Sequence, residues 1–171
     1  LFKNLTPWSK SFFSPGIMGP FSFLPFMECY HGILSMNHSI SGELTINKKR
    51  INFDNGRGYS EKDWGHSFPL GYIWMQSNHF FKNKTSFKLS IAKIPMRRLS
   101  FIGFIAGIWI DNKLIEFTSY NFSKLKKCIV SKKEVIIEIY NSKYELVVKA
   151  TRSKSTKLAA PIQGLMNSRI E

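Results

Sequence analysis

Along this chain apolar and polar residues change places mostly with a period of two, and no stretch sustains the 3.6-residue repeat of a helix. A period of two sends successive side chains to opposite faces of an extended strand. Residues 27–36 set Glu28, Tyr30, Gly32 and Leu34 on one face and Cys29, His31 and Ile33 on the other. Residues 42–47 and 50–54 read as two short strands with a hairpin corner at Asn47-Lys48-Lys49. Asp54-Asn55-Gly56 is a turn signal, and Gly58 allows a bulge. Residues 72–80 put Tyr72, Trp74, Gln76, Asn78 and Phe80 on one face; residues 85–94 resume the alternation, and Pro95 is expected to end it. Residues 101–110 are apolar on both sides, the mark of a doubly buried strand, and Asp111-Asn112 turns the chain into 113–120. Strands follow over 128–130, 134–140 and 143–151, with Asn141-Ser142 turning between the last two, and a short one near 165–169. The pattern predicts an all-β fold, an antiparallel barrel or barrel-like sandwich of about ten strands, of a size to hold one small ligand.

The first 26 residues break this rhythm. Pro7, Pro15, Gly16, Gly19, Pro20 and Pro25 exclude a continuous helix or a central strand. They read as an extended lead-in that lays Phe12, Phe13, Phe21, Phe23 and Phe26 onto an apolar surface, ahead of a β-domain over 27–171.

Composition narrows the partners. The 171 residues carry a net charge of +14, from 25 Lys and Arg against 11 Asp and Glu. The basic residues are spread, with small clusters at Lys48-Lys49-Arg50, Arg97-Arg98, 124–127 and 152–157, and no RNA-binding or zinc-finger motif accompanies them. The surplus reads first as a solvated surface with a compositional bias and second as a peripheral contact with an anionic membrane; nucleic acid is not expected. Cytoplasmic or membrane-peripheral location is the matching expectation. No apolar run reaches the ~18 residues of a spanning helix. Two cysteines, Cys29 and Cys128, make no disulfide framework and no metal-ligand spacing, so zinc is not expected.

Chemistry concentrates in residues 59–80, which hold Tyr59, Glu61, Asp63, Trp64, His66, Tyr72, Trp74, Gln76, Asn78 and His79. Extended backbone puts Glu61 and Asp63 on one face and Lys62 and Trp64 on the other. A carboxyl in an apolar, aromatic-lined cavity stays protonated near neutral pH and can act as an acid, and aromatic faces stabilise a developing cation. The alternative is structural: the carboxylates pair with Lys62 or Arg57, and the tryptophans are core.

The stretch Gly58-Tyr-Ser-Glu-Lys-Asp-Trp-Gly-His-Ser-Phe-Pro69, running into Tyr72-Ile-Trp-Met-Gln-Ser-Asn-His-Phe80, resembles the signature of the tocopherol cyclase-like family, approximately GYxEKxWGxxFPxxWxWxQxN. Pro20-Phe-Ser-Phe-Leu-Pro-Phe-Met-Glu-Cys-Tyr-His-Gly32 and Gly103-Phe-Ile-Ala-Gly-Ile-Trp109 resemble further segments of it. One departure is Tyr72, where the pattern has tryptophan. The resemblance implies a lipocalin-like (calycin-like) barrel that binds a prenylated aromatic, and the C-terminal half of a longer protein with an N-terminal domain. It implies cyclisation of a prenyl quinol to a chromanol by alkene protonation, without cofactor or metal. Asp63 is then the expected proton donor, with Glu61 second. Trp64 and Trp74 would shield the cation, with Tyr72 among the substrate-binding residues. Gln76, Asn78 and His79 would orient the quinol, with Tyr59, Glu28 and His31 supporting the site. The alternative within the same fold is a non-catalytic carrier of a lipid or quinone.

Overall fold

The computed structural model describes residues 1–25, 27–81, 84–96, 99–154, 157–159 and 165–167. These residues form strands and turns with no α-helix; the one helical piece is a 3-10 turn at Gly19–Phe23, opened by Pro20. They fall into two compact units, Leu1–Glu116 and Phe117–Glu171.

In the first unit, β1 (Phe2–Lys3), β2 (Cys29–Ile40) and β5 (Gly56–Gly65) form one antiparallel sheet with β2 in the middle. The hairpin β3 (Glu43–Ile46) and β4 (Lys49–Asn52) stands between β2 and β5 in sequence. A second sheet runs β6 (Gly71–Ser77), β7 (Ser86–Met96), β8 (Leu99–Ile110) and β9 (Lys113–Thr118) in order. In the second unit, β10 (Lys124–Val130), β11 (Glu134–Tyr140) and β12 (Glu145–Thr151) make an antiparallel sheet, and β13 (Lys157–Ala159) pairs with β14 (Leu165–Asn167). The all-β, antiparallel expectation holds; the described residues pair as five sheets, none closed on itself.

Turn chemistry explains the hairpins. Asn47 and Lys48 have φ of 49° and 66°, and Asp111 and Asn112 have φ of 51° and 58°. Two successive left-handed residues twist the chain in the sense that joins neighbouring strands, and Asn and Asp tolerate that conformation best. Pro95 does not end β7, contrary to expectation: β7 continues to Met96, with Pro95 opposite Ser100 on β8. The pairing with β6 stops at Lys93, so the missing N–H falls where β7 has become an edge.

The core of the first unit is Trp8, Ile17, Met18, Met27, Ile33 and Met36, with Tyr59, Ile94, Ile105, Trp109 and Leu114 packed against it. Side chains of β2 thus meet one face of β7 and β8. The lead-in contributes to this core through different residues from those expected. Trp8 and Ile17 are buried, whereas Phe12, Phe13 and Phe23 are exposed, Phe12 at 87%. Phe12 and Phe13 sit at the tip of a tight turn closed by Ser11 and Ser14, which points both rings away from the chain. Of the expected five, Phe21 finds a partner, stacking on Phe101 at 5.7 Å; Phe26 lies outside the described residues.

Candidate functional site

The site is made by the pairing of β2 with β5. His31 stands opposite Asp63 and Ile33 opposite Glu61, while Tyr30 and Gly32 stand opposite Trp64 and Lys62. Alternation therefore puts Tyr59, Glu61, Asp63 and His31 on one face of the ladder. The register is reached through irregularities in β2 between Ile33 and Ser35 and between Ser35 and His38. At the far end of the second, Gly58 faces the His38 ring, whose Nε2 would lie 2.2 Å from any Cβ there. Gly65, with φ of 145°, ends β5 where a Cβ would lie 2.2 Å from the Glu28 carbonyl oxygen. The carbonyl instead accepts hydrogen bonds from the amides of His66 and Ser67.

His31 bridges the two carboxylates. Its Nδ1 hydrogen-bonds Asp63 Oδ1, and its Nε2 lies 3.3 Å from Glu61 Oε2. The second contact is electrostatic, since the ring N–H is poorly aimed at the oxygen. The Tyr59 hydroxyl donates to the same Glu61 oxygen at 2.5 Å. Burial disfavours the imidazolium, but the contacts to Asp63 and Glu61 outweigh it and raise the His31 pKa above its ordinary value. Burial likewise pushes Glu61 up, but the contact with His31, the hydrogen bond from Tyr59 and the charges of His31 and Lys88 hold its carboxyl below the usual range. The expectation that burial keeps the carboxyl protonated thus fails at Glu61, because His31 and Tyr59 beside it supply a cation and a phenol. Tyr59 is raised far above a normal phenol by burial and by Glu61 beside it.

Opposite this ladder lies the face of β6, β7 and β8 that carries Lys88. Gln76 and Gly107 flank Lys88 across the two neighbouring strands, and Trp74 lies opposite Ser90 and Tyr72 opposite Ala92 on the same face. Lys88 is wholly buried, and its Nζ has no hydrogen-bond partner among the described residues. Burial brings its pKa down to about 8, against the pull of Glu61 and Asp63. Asp63 also helps burial raise the Tyr72 phenol, which places that ring within its field.

The other expected residues are distributed as follows. Trp64 lies on the opposite face from Asp63, stacked on Tyr30 at 5.7 Å with the Lys62 ammonium 4.7 Å from its ring centre. Tyr72 and Trp74 are partly exposed on the Lys88 face. The Gln76 amide donates to Asn78 Oδ1 at 2.7 Å, so the two amides hold each other. His79 is exposed just past the end of β6, and Glu28 is half-buried just before β2. Structure therefore brings together His31, Tyr59, Glu61 and Asp63 with Lys88, which the sequence reading did not single out. The signal for it was there: Lys88 shares its parity with Ser90, Ala92 and Ile94, a run too small and apolar for a solvent face. Among the described residues, no group of three or more His, Cys, Asp or Glu side chains is placed to hold a metal ion.

The family profile described as tocopherol cyclase-like matches residues 3–168. The chain belongs to the tocopherol cyclase-like family. Among relatives, a probable chloroplastic tocopherol cyclase of Oryza sativa subsp. japonica is 29% identical over 100 residues, which are 56% of this chain and 21% of that protein. The chloroplastic tocopherol cyclase of Zea mays is 33% identical over 72 residues, 42% of this chain and 15% of that protein. The matched stretches thus span about a fifth or less of these longer relatives. No solved structure matches the chain. Of the signature residues Tyr59, Glu61, Lys62 and Trp64 that carried the resemblance, Tyr59 and Glu61 share the face that meets His31, and Asp63 joins them from an open position of the pattern.

Proposed function

We propose that this tocopherol cyclase-like chain binds a prenyl quinol against the face of Asp63, Tyr72 and Trp74 and cyclises it to a chromanol by alkene protonation. The observation that supports this most is His31 held between Asp63 and Glu61, a proton kept within a ring of acceptors. Of the three side chains Asp63 is the most accessible, 40% exposed against 13% for His31 and 16% for Glu61. The proton that His31 holds passes to Asp63, whose O–H protonates the trisubstituted alkene. The tertiary cation forms beside Tyr72 and Trp74, whose ring faces stabilise it. The quinol oxygen closes the ring onto the cation, and its proton returns to the Asp63–His31 pair, so the reaction is an isomerisation with no net proton change. Glu61, fixed by Tyr59, keeps the imidazole charged and oriented. Gln76, Asn78 and His79 stand at the end of β6 nearest the quinol head, and Trp64 braces the back of β5 through Tyr30.

Closure of these sheets into a lipocalin-like barrel, the prenyl quinol as ligand and a further N-terminal domain belong to the same proposal. So does docking on an anionic membrane, supported by the exposed Phe12–Phe13 turn beside Lys10. The test is incubation of the full-length protein with a phytyl quinol and detection of chromanol by mass spectrometry. Asp63→Asn is expected to lower turnover by roughly 100-fold, the usual scale of a lost general acid. Undiminished turnover by that variant would remove Asp63 as donor. Absence of chromanol with a quinol retained unchanged through purification would favour a carrier instead.

A further inference from the structure

Lys88 is the one described side chain of this region whose burial the scheme above leaves without a purpose. Its ammonium is fully enclosed and meets no acceptor among the described residues, although Glu61 and Asp63 are near enough to act on it through space. Burying an unpaired charge is among the costliest things a fold can do, and natural cores avoid it unless something else completes the site. The walls around it are built to keep water out. Gly107 is its cross-strand neighbour on β8, and Trp8 lies over that glycine so closely that a Cβ there would lie 2.5 Å from the indole ring. On the other side is Gln76, whose amide donates to Asn78. Glu61 has Tyr59 and His31 beside it and Asp63 has His31, but among the described residues no acceptor meets the lysine.

We propose that Lys88 Nζ is the binding point for the ligand's oxygen, accepting a phenol or phenolate as its missing partner. This rests on the reading of the face as the ligand site, and it deepens that reading by assigning the polar end: the oxygen sits at Lys88 and the alkene at Asp63. The buried cation lowers the cost of ionising the phenol, so the O–H bond gives way as the C–O bond forms and the proton returns to the Asp63–His31 pair, which has just given its own to the alkene. Lys88 would then touch the reacting atom and count as a catalytic residue in its own right.

The probe is an alkyl-substituted 4-nitrophenol, whose phenolate is coloured and which carries no alkene to protonate. With the full-length protein, binding is expected to lower the ionisation midpoint of the bound phenol by about one pH unit or more, as a cation within contact distance does. Lys88→Met is expected to abolish that shift and weaken binding roughly tenfold, while raising the thermal midpoint by several degrees because an unpaired buried charge is gone. Lys88→Arg, which keeps the cation, should retain part of the shift. Equal binding and equal ionisation in wild type and Lys88→Met would overturn the proposal, as would failure of the wild type to bind the probe. A fall in thermal midpoint on Lys88→Met would also overturn it, by showing that the lysine braces the fold. A phenol shift that depends on Lys88, in a protein that forms no chromanol, would leave this inference standing and remove the cyclase reading. Chromanol formation that survives Lys88→Met would do the reverse.

Discussion

Two groups of ionic side chains divide this molecule, and they are built on opposite plans. On β10, β11 and β12, Lys126, Lys127 and Lys149 each have a carboxylate. Lys126 reaches Glu138 at 3.4 Å and Glu145 at 3.1 Å, Lys127 reaches Glu138 at 3.4 Å, and Lys149 reaches Glu134 at 3.0 Å. An irregularity in β10 between Leu125 and Lys127 lets both consecutive lysines approach Glu138. These pairs are open to water, which screens them and makes each worth little. On β2, β5 and β7 His31, Glu61 and Lys88 are largely enclosed while Asp63 reaches the surface, and the charges are not matched one to one: two carboxylates share His31, and Lys88 has no hydrogen-bond partner among the described residues. An exposed ladder of complete pairs describes a surface. An enclosed set with a cation left over describes a place prepared for something else.

Removing a charge from each group should separate them sharply. His31→Leu leaves Glu61 and Asp63 facing each other without their shared cation, and should cost about 3 kcal/mol of stability, as loss of one member of a buried ionic group does; chemical denaturation measures it, and a loss below about 1 kcal/mol would mean the group is effectively solvated. The pH dependence is a finer test. His31 has a raised folded pKa, so its contribution is complete below its ordinary 6.5 and is lost as pH rises through the folded value. Glu61 has a lowered folded pKa, so its contribution is present above its ordinary 4.5 and is lost as pH falls through the folded value. Both act together between about pH 4.5 and 6.5, where thermal melts should show greatest stability from this group; in His31→Leu that maximum should flatten. The smallest effect belongs to the other group. Glu138→Gln should move the thermal midpoint by no more than about a degree, and less still at high salt. A large, salt-insensitive loss there would erase the distinction.

How much of this could be read from the chain depends on the range of the interaction that decides it. The hairpins at Asn47-Lys48 and Asp111-Asn112 were legible because left-handed backbone is a local demand met by local residues. So was the parity that sets Glu61 and Asp63 apart from Lys62 and Trp64. What could not be read was the partner strand. Nothing within β5 says that His31 will stand opposite Asp63; that register is set through the irregular stretch of β2 and by hydrogen bonds between distant segments. The sign of the Glu61 shift followed from the same gap, because burial alone raises a carboxyl and only the unseen His31 reverses it. In the lead-in, the abundance of phenylalanine drew attention away from Trp8 and Ile17, which take the buried places; composition says that aromatics are present, not which of them the backbone turns inward.

The position of Trp8 over Gly107 has a practical meaning for anyone who trims or tags this protein. A fragment begun just beyond that tryptophan would keep every strand that carries Tyr59, Glu61, Asp63 and Lys88, at the cost of a core side chain. Yet it would have lost the stopper beside Lys88. Water would reach the ammonium, its titration would return toward that of an ordinary lysine, and the phenol-binding role proposed for Lys88 would weaken without any residue of the site having been changed. The boundary chosen at the bench, far from the chemistry in sequence, would decide how dry the chemistry is.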